Sequence, residues 1–161
     1  MRYAQIREMD ISNGEGIGAA LFVQGCHFHC EGCFNQETWD FNGGKEFTEK
    51  TKQLLFSILK KDYIQRFSIL GGEPLCDENV GVVKSLLISI KNEFPNIKIW
   101  LYTGYTLHEV IHSTERKDVA LLTDVLVEGR FIKDLADMSY PWAGSKNQHV
   151  IRNYGKEDSL S

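Results

Sequence analysis

No run in these 161 residues approaches the eighteen consecutive apolar side chains that a membrane-spanning helix requires. The first segment, Met1 to Asp10, carries charge and lacks the apolar stretch of a secretory signal. Together these absences lead us to expect a cytoplasmic protein. No Lys/Arg cluster stands out and the formal net charge is −4, so there is no basic patch to neutralise phosphates and nucleic acid is not an expected ligand. Internal repeats, low-complexity tracts and linkers are missing as well. With 42% apolar and 25% charged residues the composition is that of an ordinary globular protein. The length suits one core and is short for two, which predicts a single domain over residues 1–161.

Cysteine is scarce, but it is not scattered. Three of the four thiols fall within Cys26-His27-Phe28-His29-Cys30-Glu31-Gly32-Cys33, and the fourth, Cys76, stands far off in sequence. In a reducing compartment such clustering fits metal ligation better than a disulfide framework. A four-thiolate zinc site or an electron-transfer cluster closes its coordination shell with protein ligands. Three thiolates on a cubane cluster leave one iron open, and an open metal position is where chemistry starts. The plain alternative is a zinc or disulfide site of incidental spacing. Cys76 either approaches as a fourth ligand, which would close the site, or is a small buried hydrophobe, the commoner role of a free cysteine. His27 and His29 either tune the ligands by hydrogen bonding or face solvent.

The elements around this loop follow from hydrophobic periodicity. Tyr3 to Met9 reads as a first strand, and Ile11 to Gly18 as a turn-rich segment with three glycines. The run Ala19-Ala20-Leu21-Phe22-Val23 reads as a buried strand leading straight into the cysteines. A helix is expected after Thr48, with Leu54, Leu55, Ile58 and Leu59 on one face. The strand Arg66 to Leu70 then ends in Gly71-Gly72-Glu73-Pro74. A second helix follows, with Asp77 as its cap, Val80, Val83, Leu87, Ile90 and Phe94 as its apolar stripe, and Pro95 as its stop. Ile97 to Tyr102, Asp124 to Val127 and His149 to Ile151 read as further strands, and Thr106 to Glu109 has the spacing of a capping box. Strands alternating with helices imply parallel pairing. The expected fold is α/β, an abbreviated, open relative of the TIM barrel with mostly parallel strands.

Two glycines after a strand let a backbone approach a ligand closely, and a neighbouring carboxylate can accept a hydrogen bond from an ammonium group. Taken alone, Gly71-Gly72-Glu73 is a common strand-to-helix turn. The C-x3-C-x2-C spacing of Cys26, Cys30 and Cys33, joined to this turn after the next strand, resembles the radical S-adenosylmethionine enzymes. The resemblance implies a [4Fe-4S] cluster on the three thiolates, with S-adenosylmethionine chelating the fourth iron through its amino and carboxylate groups. It also implies that Gly71, Gly72 and Glu73 line the methionine end, with Gly32, Cys33 and Phe34 close to the same molecule. Many members carry an aromatic residue before the third cysteine; here Gly32 stands there and Phe34 follows. Arg130 either pairs with the S-adenosylmethionine carboxylate or is a surface or partner contact. Trp39, Trp100 and Trp142 are core or interface residues, with Trp142 the one placed for functional contact.

A narrower resemblance runs through Asn13-Gly14-Glu15-Gly16, Phe22 to Cys26, Cys33-Phe34-Asn35, Thr38-Trp39, Tyr102 to Tyr105, Asp124 to Phe131 and Gly144 to Gln148. These segments look like the activating proteins of anaerobic (class III) ribonucleoside-triphosphate reductase. That family implies a deoxyadenosyl radical that takes hydrogen from a glycine of the reductase, with flavodoxin or ferredoxin as electron donor. Two other classes stay open at this point. One is a different small radical S-adenosylmethionine enzyme, acting on another glycyl-radical partner or a small molecule. The other is a non-catalytic iron–sulfur or zinc protein closed by Cys76.

Overall fold

The computed structural model describes residues 1–156. Its strands are β1 (Arg2–Asp10), β2 (Gly18–Val23), β3 (Lys45–Glu46), β4 (Arg66–Gly71), β5 (Lys98–Tyr102), β6 (Val125–Glu128) and β7 (His149–Arg152). Among the described residues they form one sheet in the order β3-β1-β2-β4-β5-β6-β7. The four central strands β2, β4, β5 and β6 are parallel, as expected from alternating strands and helices. The outer pairings are antiparallel. A short turn after Asp10 can only fold β2 back on β1, and β7 returns beside β6 without a crossover helix, which parallel pairing would need. The two-residue β3 is too short to show a period and was not visible in the sequence.

Continuous apolar strands reflect cover on both faces. All six residues of β2 are buried, as are the first five of β4. The helices are α1 (Glu49–Leu59), α2 (Val80–Glu93), α3 (Leu107–Ile111) and α4 (Thr114–Leu122). The main core joins Leu55, Ile58 and Leu59 of α1 and Val83, Leu87 and Ile90 of α2 to Leu21, Ile69, Leu101 and Leu126 of the sheet. Leu54, read with the buried face of α1, is 49% exposed, so that stripe is narrower than the sequence suggests. The N-cap of α2 is Asn79 rather than Asp77. Its side-chain amide does not cap; it donates to the carbonyls of Gln24 and Glu73, both at 3.1 Å, tying the helix start to the ends of β2 and β4. Helix α4 escaped the sequence reading because its first turn is polar and only Val119 and Ala120 are buried. No helix among the described residues is long and apolar enough to cross a membrane.

One charge pair lies inside this frame. Arg66, at the start of β4, meets Asp10 at 3.0 Å with both side chains 1% exposed. The guanidinium also donates to the carbonyls of Asp10, Asn13 and Glu15, so it collects the turn between β1 and β2 onto β4. Hydrogen bonds from Asn13 and the Arg66 charge hold the Asp10 carboxyl below its ordinary range against the opposing effect of burial.

Helix α1 begins with a capping box in which Thr48 accepts from the Thr51 amide and Thr51 from the Thr48 amide. Thr48→Ala removes half of that exchange and is expected to cost about 1 kcal/mol in urea unfolding. A loss below a few tenths would mean that the cap is redundant with the packing of Leu55 and Leu59.

Candidate functional site

Strands β2 and β4 pair in parallel with Val23 opposite Gly71, so the cysteine loop and the Gly-Gly-Glu turn leave the sheet side by side. The amide of Gly72 donates to Val23 at 2.9 Å and that of Glu73 to Gly25 at 2.7 Å. A Cβ at Gly72 would stand 2.5 Å from the Gly25 carbonyl, and one at Gly71 would stand 2.8 Å from the Val23 backbone. The two glycines are therefore required by the contact between the two turns, before any ligand is considered.

A cavity of about 730 Å³ opens over these strand ends, where α/β folds place their ligands. Cys26, Cys30 and Cys33 line it together with Gly71, Gly72, Glu73 and Phe34. Burial pushes the Cys26 thiol up, while the amides of Phe28 and His29 favour its thiolate. Burial also raises Cys30, opposed by the amide of Phe131 and the charge of Arg130. The sulfur of Cys33 accepts from the amide of Asn35 at 3.4 Å. No group of three or more His, Cys, Asp or Glu side chains among the described residues is arranged to hold a single metal ion. Cys76 is 1% exposed, its thiol is pushed up to about 12 chiefly by burial, and it is not among the residues lining the cavity.

A family model described as a 4Fe-4S single cluster domain matches residues 12–151. The anaerobic ribonucleoside-triphosphate reductase-activating protein of Pasteurella multocida (strain Pm70) is 39% identical over 154 residues, covering 94% of this chain and 98% of that protein. The proteins of the same name from Vibrio cholerae (serotype O1, strain El Tor Inaba N16961) and Escherichia coli (strain K12) are each 40% identical. The former alignment covers 94% of this chain and 98% of the relative, the latter 93% and 97%. This chain belongs to the anaerobic ribonucleoside-triphosphate reductase-activating protein family.

The donor set of this activating-protein homologue fits a 4Fe-4S cluster. Three sulfurs face one cavity, and each has a backbone amide that favours or donates to it, as cluster thiolates require. The carboxylate of Glu73 is 2% exposed and already accepts from the Leu75 amide at 2.9 Å, the Thr103 hydroxyl at 2.7 Å and the Gly104 amide at 2.7 Å. It therefore ties the Gly-Gly-Glu turn to the end of β5 as well as lining the cavity. Burial outweighs these three donors and pushes its carboxyl up to about 7.

Two residues expected near S-adenosylmethionine are not among those lining the cavity. Gly32 does not line the cavity; a Cβ there would meet Phe131 and Lys133 at 3.4 Å. Arg130 does not line it either: both its terminal nitrogens pair with the Glu109 carboxylate at 3.0 Å, a bidentate geometry that engages its fork with a protein carboxylate. Phe34 does line the cavity, 67% exposed, with its ring 5.1 Å from that of Phe131. Trp142 also lines it and packs edge-on against Trp100 at 5.6 Å, whereas Trp39 stacks on His29 at 4.5 Å. His27 and His29 are both exposed, as solvent-facing loop residues would be, with His27 also 2.5 Å from Glu78. The sequence reading missed Phe28, Tyr102, Thr103 and Phe131, all of which line the cavity. The available signals were the position of Phe28 inside the ligand loop and the place of Tyr102, Thr103 and Phe131 in segments that carry the family resemblance.

Proposed function

We propose that this protein activates anaerobic ribonucleoside-triphosphate reductase as a radical S-adenosylmethionine enzyme, within a single domain of abbreviated, open TIM-barrel-like form. The observation that carries this reading is that Cys26, Cys30 and Cys33 share one cavity with Gly71, Gly72 and Glu73, while Cys76 stays outside it. Cys26, Cys30 and Cys33 would hold a [4Fe-4S] cluster through their thiolates. When bound, that cluster would supply the reducing electron for cleavage of S-adenosylmethionine to methionine and a 5′-deoxyadenosyl radical, the species that would take a hydrogen atom from a glycine of the reductase.

The chain's own residues bind, orient and shield. The backbone of Gly71 and Gly72 would border the methionine end, next to the cysteine loop, with Gly72 donating to Val23 and Glu73 to Gly25. Glu73, anchored by three donors, holds that turn against Thr103 and Gly104 and keeps the shape of the pocket. Phe34, Phe131 and Trp142 give the cavity apolar walls that limit water near a reactive radical. The electron donor proposed by resemblance is a flavodoxin or ferredoxin, and the proposed compartment is the cytoplasm.

The test is anaerobic. After reconstitution with iron and sulfide and reduction, electron paramagnetic resonance is recorded with and without S-adenosylmethionine while 5′-deoxyadenosine is assayed. A cluster signal altered by S-adenosylmethionine, together with deoxyadenosine, supports the reading. A spectrum insensitive to S-adenosylmethionine and no product would return the site to a closed iron–sulfur centre.

A further inference from the structure

The three residues between Cys26 and Cys30 all carry rings, and each ring packs on another. His27 lies 4.5 Å from Phe41, His29 lies 4.5 Å from Trp39 in a parallel stack, and Phe28 meets Tyr105 edge-on at 4.8 Å. The outer two partners belong to the segment just after the cysteines. Phe28 instead packs on residues that follow β5 and β6: beside Tyr105, the Arg130 guanidinium stands over the Phe28 ring, 4.3 Å from its centroid.

The position of Arg130 is itself fixed from outside the cavity. Its fork is bidentate to Glu109, whose Oε1 also accepts from the amide and hydroxyl of Thr106 in the capping box of α3. Its carbonyl accepts from the Asn147 side chain at 2.8 Å. The pair stays charged across any working pH, because Arg130 and the Thr106 amide hold the Glu109 carboxyl down to about 2. Phe28 lines the cavity and Arg130 does not, so Arg130 acts on the site through the ring it packs on.

We propose that Arg130 is a positioning residue for the cysteine loop: held by Glu109, it seats Phe28 by a cation–π contact and so places a fixed positive charge beside the loop that carries Cys26 and Cys30. This inference rests on the cluster reading of the site. A cation over an aromatic face in a partly desolvated place contributes enough to alter the lifetime of a loop that opens to release its metal. The charge acts separately, since a positive group near a cluster ligand stabilises the reduced, more negative cluster.

The experiment uses reconstituted full-length protein, reads the rate of iron loss to a chelator and the midpoint potential of the cluster without S-adenosylmethionine, and then measures S-adenosylmethionine binding separately. Arg130→Met and Glu109→Gln are each expected to speed iron loss on the order of tenfold. The double variant is expected to be no faster than either single one, because both remove the same contact. The potentials separate the two effects: Arg130→Met moves it negative, whereas Glu109→Gln, which strips Arg130 of its counter-charge, moves it positive. Arg130→Lys keeps the charge without the fork, so the potential stays near wild type while iron loss remains fast. Should Arg130→Met not yield a folded apo-protein by circular dichroism, Arg130→Lys and Glu109→Gln carry the comparison. Wild-type iron loss and potential in these variants, with weakened S-adenosylmethionine binding in the Arg130 variants alone, would overturn the proposal and assign Arg130 to the cosubstrate carboxylate. A wild-type protein that takes up no cluster would overturn the reading of the site along with it.

Discussion

Replacing Cys26, Cys30 or Cys33 by alanine is expected to abolish both cluster assembly and cleavage of S-adenosylmethionine, whereas Cys76→Ala leaves both near wild type. Each of the three sulfurs lines the cavity, so the loss of any one leaves two protein ligands, fewer than a cubane with a single open iron can use. Cys76 is a different kind of cysteine. It sits 1% exposed in the turn after Glu73, and burial together with the charges of Glu73 and Glu78 pushes its thiol up to about 12. It does not line the cavity that the other three thiols share, so its sulfur does not face the site. Its removal leaves a small void and is expected to cost about 1 kcal/mol of apo-protein stability. Iron and sulfide analysis with deoxyadenosine assays on the four variants checks this, and loss of the cluster in Cys76→Ala would refute the three-ligand assignment.

Much of the frame was legible because the chemistry hangs on the ends of apolar runs. Ala19 to Val23 and Arg66 to Leu70 announce two strands covered on both faces, and each leads directly into a motif. Once the strands pair in parallel with Val23 opposite Gly71, the two motifs have to meet. The helices on either side were legible from their stripes and caps, Thr48 and Thr106 among them.

What escaped depends on partners distant in the chain. Arg130 looked available for a carboxylate because nothing near it in sequence predicts Glu109, which is brought to it by α3 and the end of β6. Asp77 has the residue type of a cap, yet Asn79 takes the position and spends its side chain on the carbonyls of Gln24 and Glu73, just beyond β2 and β4. The antiparallel edges were hidden for another reason: β1 and β7 are partly exposed, so their patterns carry no sign of direction. The carboxylate of Glu73 was read as a ligand for an ammonium group, and its protein donors could not be seen because Thr103 and Gly104 lie a helix and a strand further on.

Those donors make Glu73→Ala the second large effect. The substitution strands two buried amides and a hydroxyl, each costing about 1–3 kcal/mol when left without a partner. A loss of about 3–5 kcal/mol in apo-protein stability is expected, with weaker S-adenosylmethionine binding in whatever fraction still assembles the cluster. The same group has a pH signature. Its carboxyl stands at about 7 in the folded chain against an ordinary 4.5. Between those values the native state keeps a proton that the unfolded chain has released. The contribution of Glu73 is therefore fully present below about pH 4.5 and is lost as pH rises through about 7. At 1.36 kcal/mol per unit, the gap is worth at most about 3 kcal/mol. Glu73→Gln keeps the volume and cannot titrate, though its amide must face one donor with another. Urea unfolding of apo-protein from pH 5 to pH 8 should find wild type ahead of Glu73→Gln by most at the acid end, with the difference shrinking as pH rises. Titrating thiols are common to both proteins and cancel in the comparison. A difference independent of pH would mean that the three donors keep the carboxylate ionised throughout, and the stability of the turn would then rest on hydrogen bonding to a permanent charge.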